Sequence, residues 1–226
     1  MIARDDWSFT VLDIAPTTYA AAPELTARLR VETASPMPVH AVALRCQVRI
    51  EPQRRGYDLD DEQGLRALFG DRDRWSQTLR PFQWMQCNTT VQGFVGSTEV
   101  DLALPCTYDF DVTGSRYLHA VGSGTVPLVL LFSGTAFIRG ETGFAVQQVP
   151  WDSEARYELP VAVWRDMLEA YFPRSGWIRL EHDVLAALGD YRSRHGLVSW
   201  EETVTRLLAD SREADSPRSV GQEVAP

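Results

Sequence analysis

Cysteine and histidine are the residues of this chain with the widest chemistry, since a thiol beside an imidazole can act as a nucleophile or bind a metal. The chain has three cysteines and four histidines, spread along its length. Cys106 and His119 flank one predicted turn, and Asp109 lies between them. These three residues are the best candidates for a polar pocket, and they define one alternative: an enzyme or a small-ligand carrier.

Familiar catalytic and metal-binding motifs are missing from the sequence. No HExxH or Cys-x-x-Cys pattern is present, and residues 122–124 have neither the spacing nor the lysine of a phosphate loop. All basic residues are arginines, which excludes a Schiff-base lysine. Residues 58–64 resemble a calcium loop, but the glycine comes one position late and Phe69 stands where the loop needs glutamate, so a helix cap is favoured. The sequence predicts no catalytic residue, metal site or cofactor.

Arginine side chains recur on the polar faces of two predicted strands, at Arg28 and Arg30 and again at Arg45 and Arg49. Acidic side chains occupy the polar positions of the segments that follow: Glu99, Asp101, Asp109 and Asp111. One interpretation is a lattice of cross-strand ion pairs, each contributing a few tenths to about 1 kcal/mol. The other is a recognition surface for an acidic or carboxylate-bearing partner.

Tryptophan is frequent, with seven in the chain. Most should pack between helices and sheet, but three stand in turn-like contexts, where an exposed indole is typical of an interface. These three join the four arginines above as candidate partner contacts: Trp75, Trp151 and Trp177.

Strict alternation of apolar and polar residues predicts strands at 24–33 and 41–51. The prolines between them suggest a turn, so we expect these two strands to pair as a hairpin. Residues 127–138 are apolar on both faces, which is typical of a strand buried on both sides. This segment is predicted to be the central strand of a sheet.

Helical patterns interrupt and follow the strands. A short helical insertion is expected near 58–78, and the period becomes helical after Pro160. Ser199 and Glu202 predict a capping box, and residues 211–226 are expected to be disordered. The predicted fold is therefore α+β: a curved or partly closed antiparallel β-sheet over residues 1–158, C-terminal helices packed on it over 159–210, and the tail.

Composition excludes several classes of function. The 226 residues carry a net charge of −9 without a basic run, which argues against nucleic-acid binding and anionic lipid. The longest apolar run, 126–132, is too short to span a bilayer, and the first residues are acidic where a signal peptide is apolar. Widely spaced, odd-numbered cysteines are typical of a reducing compartment. We expect a cytoplasmic protein.

Five segments together resemble one bacterial family, DUF6084, across most of the chain; they lie at 44–52, 67–70 with Trp75 nearby, 105–110, 127–135 and 149–152. Members of that family are found near the genes of NiFe uptake hydrogenases, which implies an accessory or assembly role. The expected function is a non-enzymatic protein-binding factor that holds its partner at an open sheet edge or in the groove between the sheet and the C-terminal helices. The resemblance makes a hydrogenase subunit or maturation factor the first candidate partner. A chaperone-like protein that binds extended segments by strand addition is a variant of this expectation.

Overall fold

A computed structural model describes residues 7–107, 112–140, 143–176 and 178–215. It contains eight strands: β1 (Trp7–Pro16), β2 (Glu24–Thr33), β3 (Val39–Ile50), β4 (Phe82–Phe94), β5 (Ser97–Pro105), β6 (Thr125–Gly140), β7 (Gly143–Val149) and β8 (Glu154–Pro160). It also contains six α-helices: α1 (Leu59–Phe69), α2 (Trp75–Thr78), α3 (Thr113–Ala120), α4 (Val161–Tyr171), α5 (His182–Arg194) and α6 (Trp200–Asp215).

The strands form two antiparallel sheets. The three-stranded sheet has the order β1-β2-β5, and the five-stranded sheet has the order β4-β3-β6 with both β7 and β8 beyond β6. β6 is long enough to pair with β8 through its first half and with β7 through its second half. It therefore is the predicted central strand, and its apolar character on both faces follows from that position.

The two sheets pack face to face through their apolar sides. The burial pattern of β2 and β3 alternates residue by residue, as their sequences predict. Phe9 of the three-stranded sheet stacks on Phe132 of the five-stranded sheet, with ring centroids 4.3 Å apart. The fold class predicted from the sequence, α+β with a curved or partly closed antiparallel sheet, is confirmed; the strands divide between two sheets that do not close, instead of forming one.

The predicted hairpin between residues 24–33 and 41–51 is wrong. β2 pairs with β1 and β5, whereas β3 pairs with β4 and β6. The connection between them carries the chain from one sheet to the other. Alternation shows which face of a strand is buried, but both sheets bury a face of the same kind, so the pattern holds no information about the neighbouring strand.

The helical insertion lies between β3 and β4. Asp58 caps α1 by accepting a hydrogen bond from the Asp61 backbone N–H at 2.8 Å, which confirms the predicted cap. α1 packs against α3 at Gly64, where an added Cβ would lie 3.0 Å from that of Ala120. Farther along the chain, α4 contacts β1 and β8 and buries Trp164.

Residues 178–215 form a separate compact unit, in which α5 and α6 contact each other. The Glu202 N–H donates to Ser199 Oγ at 3.0 Å and the Glu202 carboxylate accepts from the Ser199 N–H, so the capping box is confirmed. Val184 and Leu185 of α5 are 49% and 43% exposed. α6 continues to Asp215, past the start of the predicted tail, and the residues after it lie outside the described ones.

Within the described ranges, no helix combines the length and apolar character that a membrane crossing requires.

Candidate functional site

The four arginines of the predicted row belong to different sheets. On the three-stranded sheet, Arg28 lies directly opposite Asp101 and Arg30 opposite Glu99. The Arg28 Nε to Asp101 Oδ1 distance is 3.2 Å and the Arg30 Nη2 to Glu99 Oε1 distance is 3.1 Å. The hydrogen bond and the charge of Asp101 raise the pKa of Arg28. These two ion pairs form part of the predicted lattice. Asp109 and Asp111 lie outside the described residues.

Arg45 and Arg49 lie on β3, in the five-stranded sheet, and their neighbours are uncharged. The register places Arg45 between Asn88 and Ser133, and Arg49 between Gln83 and Val129. β3, β4, β6 and β7 contain no aspartate or glutamate, although the whole chain is acidic. No ion pair is formed by either arginine among the described residues. Their charges are therefore available to a partner.

An open groove of about 640 Å³ lies beside Arg45 on β3 and β4. Small side chains leave room for it, and Arg45 supplies its charge. The groove is lined by Ala43, Leu44, Arg45, Gln86, Asn88, Thr89 and Thr90. Amide and hydroxyl groups beside an arginine can hydrogen-bond a carboxylate or the backbone of a bound peptide.

The same face becomes apolar toward β7. Phe137 on β6 lies opposite Val146 on β7, and Phe144 follows on the same face of β7. Val146 is 63% exposed and Phe144 is 60% exposed. The Phe144 ring lies 4.7 Å from the ring of His40, measured between centroids. Trp151, in the turn after β7, is 83% exposed.

β7 also leaves one backbone edge open. In the described part of the chain it pairs with β6 alone. Its sequence, residues 143–149, has no charge and no proline, and side chains on both of its faces are exposed. Proteins usually protect an edge strand with lysine, proline, a bulge or a covering segment, because unpaired N–H and C=O groups are a template for another strand. β7 has neither the charge nor the proline.

The predicted tryptophans are in different environments. Trp75 is buried, and its indole N–H donates to the Gly70 carbonyl at 3.0 Å, so the structure removes it from the exposed contacts. Its ring also lies edge-on to Tyr57, 5.1 Å away between centroids, which makes it part of the packing of the helical insertion. Trp151 remains a candidate contact, and Trp177 lies outside the described residues.

Of the alternative pocket predicted at Cys106, Asp109 and His119, the structure describes Cys106 and His119. The Cys106 thiol is 3.3 Å from the Leu104 carbonyl oxygen. His119 lies on α3 beside Trp164, and burial, with the nearby charge of Arg165, lowers its pKa. Asp109 lies outside the described residues. Three hollows, on β3–β4, beside β1 and beside α1, are lined by other residues. The described residues include no cluster of three metal-ligating side chains.

The fold brings two cysteines together that sequence analysis left apart. Cys46 on β3 lies directly opposite Cys87 on β4, and both face the interior. Burial raises the pKa of Cys46 to about 12, of Cys87 to about 11 and of Cys106 to about 12. The thiolate is the reactive form, so all three thiols should be inert near neutral pH.

We expect the folded protein to react negligibly with a disulfide reagent such as DTNB at about pH 8, because almost none of each thiol is ionised there. In denaturant all three thiols should react at once, since unfolding restores ordinary thiol pKa values. The measurement is the release of the coloured thiolate with time. Rapid reaction of one thiol in the folded protein would show an accessible, activated cysteine.

Comparison with known proteins gives one extensive match and several weak ones. A model of a family of unknown function, DUF6084, matches residues 4–216. No curated protein matches the sequence. Among solved structures, a β-glucosidase from Kluyveromyces marxianus is 7% identical with a TM-score of 0.27, over 69% of this chain and 15% of that one.

Two further structures are similarly distant. A protein described as late embryogenesis abundant is 12% identical with a TM-score of 0.33, over 72% of this chain and 75% of that one. β-Glucosidase 3B from Thermotoga neapolitana is 12% identical with a TM-score of 0.26, over 69% of this chain and 17% of that one. Because the family model covers nearly the whole chain, the protein belongs to DUF6084, a family of unknown function.

Proposed function

We propose that this protein is a non-enzymatic binding or assembly factor that holds an extended segment of a partner protein along the free edge of β7. The observation that carries the proposal is the state of that edge: an uncharged strand, paired on one side, with exposed apolar side chains. An added strand would pair with the backbone groups that β7 leaves open.

Side chains give such a segment its specificity. Successive residues of an added strand point to opposite faces, so every second residue would lie next to Phe144 and Val146, with Phe137 one strand farther away. A partner segment with apolar residues at alternate positions fits this surface. The backbone supplies affinity, and the apolar neighbours select the sequence.

The identity of the partner is proposed from the family alone. We put an uptake hydrogenase subunit or a hydrogenase maturation factor first among the proteins to test. Co-purification of such a protein with the tagged chain from its host, lost on changing β7, would support the assembly role.

The direct test of the binding mode is selection from a displayed library of random short peptides. Wild-type protein should enrich peptides with apolar residues at alternate positions. The double variant Phe144→Lys/Val146→Lys should lose these peptides, because lysine on an edge strand opposes pairing and both positions are exposed enough to accept it. The matched control is Ser8→Lys/Thr10→Lys, which adds the same charge at exposed positions on β1, the edge of the other sheet.

Retention of the peptides by the control and their loss in the β7 variant would establish the edge as the site. Equal binding by both variants, or no enrichment by the wild-type protein, would overturn the proposal. Matching thermal midpoints of the three proteins show that the comparison is between folded molecules.

A further inference from the structure

We infer that the segment bound at this site is acidic, and that its carboxylates bind Arg45 and Arg49 on the outer face of the five-stranded sheet. The inference rests on the proposed function and names the chemistry of the partner. It depends on how the charges of this chain are distributed between its two sheets.

The three-stranded sheet neutralises its own arginines. Arg28 and Arg30 each face an acid on the adjacent strand, at 3.2 Å and 3.1 Å. The five-stranded sheet has arginines in the same kind of outward position but no acid on β3, β4, β6 or β7. A chain with a net charge of −9 has many acids, yet within the strands of this sheet they occur only on β8, at Glu154 and Glu158, with Arg156 between them. Complementary charge favours an acidic partner and disfavours others.

The register places this charge within reach of a segment on β7. Val149, at the end of β7, lies opposite Gly134, and the next residue of β6, Ser133, lies opposite Arg45. Arg45 is therefore one row beyond the end of β7 and two strands from it, so a strand added at the free edge of β7 lies three strands from Arg45, about 14 Å. About five residues in extended conformation span that distance. An extended segment that leaves the β7 edge at this end can place a carboxylate against the guanidinium, where the groove beside Asn88 and Thr90 is open.

A nucleic acid would also carry negative charge, but the face suits it poorly. Three arginines lie on these four strands, Arg45, Arg49 and Arg139, and Glu154 and Glu158 follow on β8. Nucleic-acid binding draws its affinity from many phosphate contacts. A protein segment can bind with only one or two carboxylates on the arginines, because its apolar side chains also contact the apolar end of the face.

The experiment compares peptides selected by three proteins at low salt. These are the wild type, the variant Arg45→Gln/Arg49→Gln, and the control Arg28→Gln/Arg30→Gln, which removes the same charge from the other sheet. Wild-type protein should enrich peptides rich in aspartate and glutamate. Synthetic versions of the best peptide should bind the β3 variant about tenfold or more weakly, since charge-assisted hydrogen bonds to carboxylate are lost. The control should bind them as wild type does, and amide versions of the peptide should not distinguish the proteins.

The outcomes separate the two proposals. Peptides that need β7 but show no acidic bias would overturn this inference and leave the edge-binding function standing. An acidic bias that survives in the β3 variant would also overturn it. Tight binding of a single-stranded oligonucleotide that needs Arg45 and Arg49 would replace the protein segment with nucleic acid. Failure of wild-type protein to enrich any peptide would overturn the proposed function itself.

Discussion

Replacement of Asp61 by alanine is expected to lower the free energy of unfolding by about 3–5 kcal/mol, because it leaves a buried charge without its partner. The Asp61 and Arg55 side chains are only 4% and 11% exposed, and Arg55 Nη2 lies 3.2 Å from Asp61 Oδ2. The second carboxylate oxygen of Asp61 accepts the Gly122 backbone N–H at 2.6 Å. One carboxylate thus joins the start of α1 to the loop before β6.

Arg55 reinforces the same connection. Its guanidinium also donates to the Ser123 carbonyl at 3.0 Å and to the Thr125 carbonyl at 3.1 Å. With Asp61 gone, these two neutral acceptors cannot offset the cost of keeping the charge out of water. The loop from Gly122 to Thr125 should then loosen together with the helical insertion.

The matched control is Asp101→Ala, which removes the partner of Arg28 from an exposed ion pair. It should change the free energy of unfolding by no more than about 1 kcal/mol, since water and salt screen such pairs. Urea unfolding followed by tryptophan fluorescence measures both variants. Similar, small changes in the two would show that the Arg55–Asp61 pair is solvated.

Local pattern in the sequence was sufficient for the elements and for part of the site. Alternation at 24–33 and the run at 127–138 predicted β2 and the position of β6 correctly, because burial on one face or two leaves a direct mark on composition. Arginine on the polar face of one strand and acids on the polar face of another predicted the pairs of Arg28 and Arg30. Caps at Asp58 and Ser199 were predictable because their hydrogen bonds span a few residues.

Features that depend on which strands are neighbours could not be predicted. The arginines of β2 and β3 look alike in sequence, and only the register shows that one pair faces acids and the other does not. The sequence places Trp75 in a turn-like segment, but its contacts with Gly70 and Tyr57 depend on the fold and are visible only in the structure. Exposure of the β7 edge follows from β8 taking the other half of β6, which no periodicity in residues 143–149 reveals.

Replacement of Trp164 by alanine is the second change with a large expected effect, a loss of about 3–5 kcal/mol in the free energy of unfolding. Trp164 is fully buried on α4, with its ring 6.1 Å from Trp84 and 6.0 Å from His119 between centroids. Truncation removes the apolar transfer energy of the indole and leaves a cavity among α3, α4 and β4. The same packing can only partly close over it.

Trp151→Ala makes the same chemical change at a side chain that is 83% exposed, and should leave the free energy of unfolding within about 0.5 kcal/mol of wild type. Thermal and urea unfolding distinguish the two variants; equal stability would show that α4 is not held by its tryptophan. Below its own midpoint, Trp164→Ala should still bind the selected peptides with wild-type affinity, because the main strand contacts of α4 are with β1 and β8. Loss of peptide binding by the folded Trp164 variant would mean that the conformation of the binding face depends on the packing of α4 against the sheets.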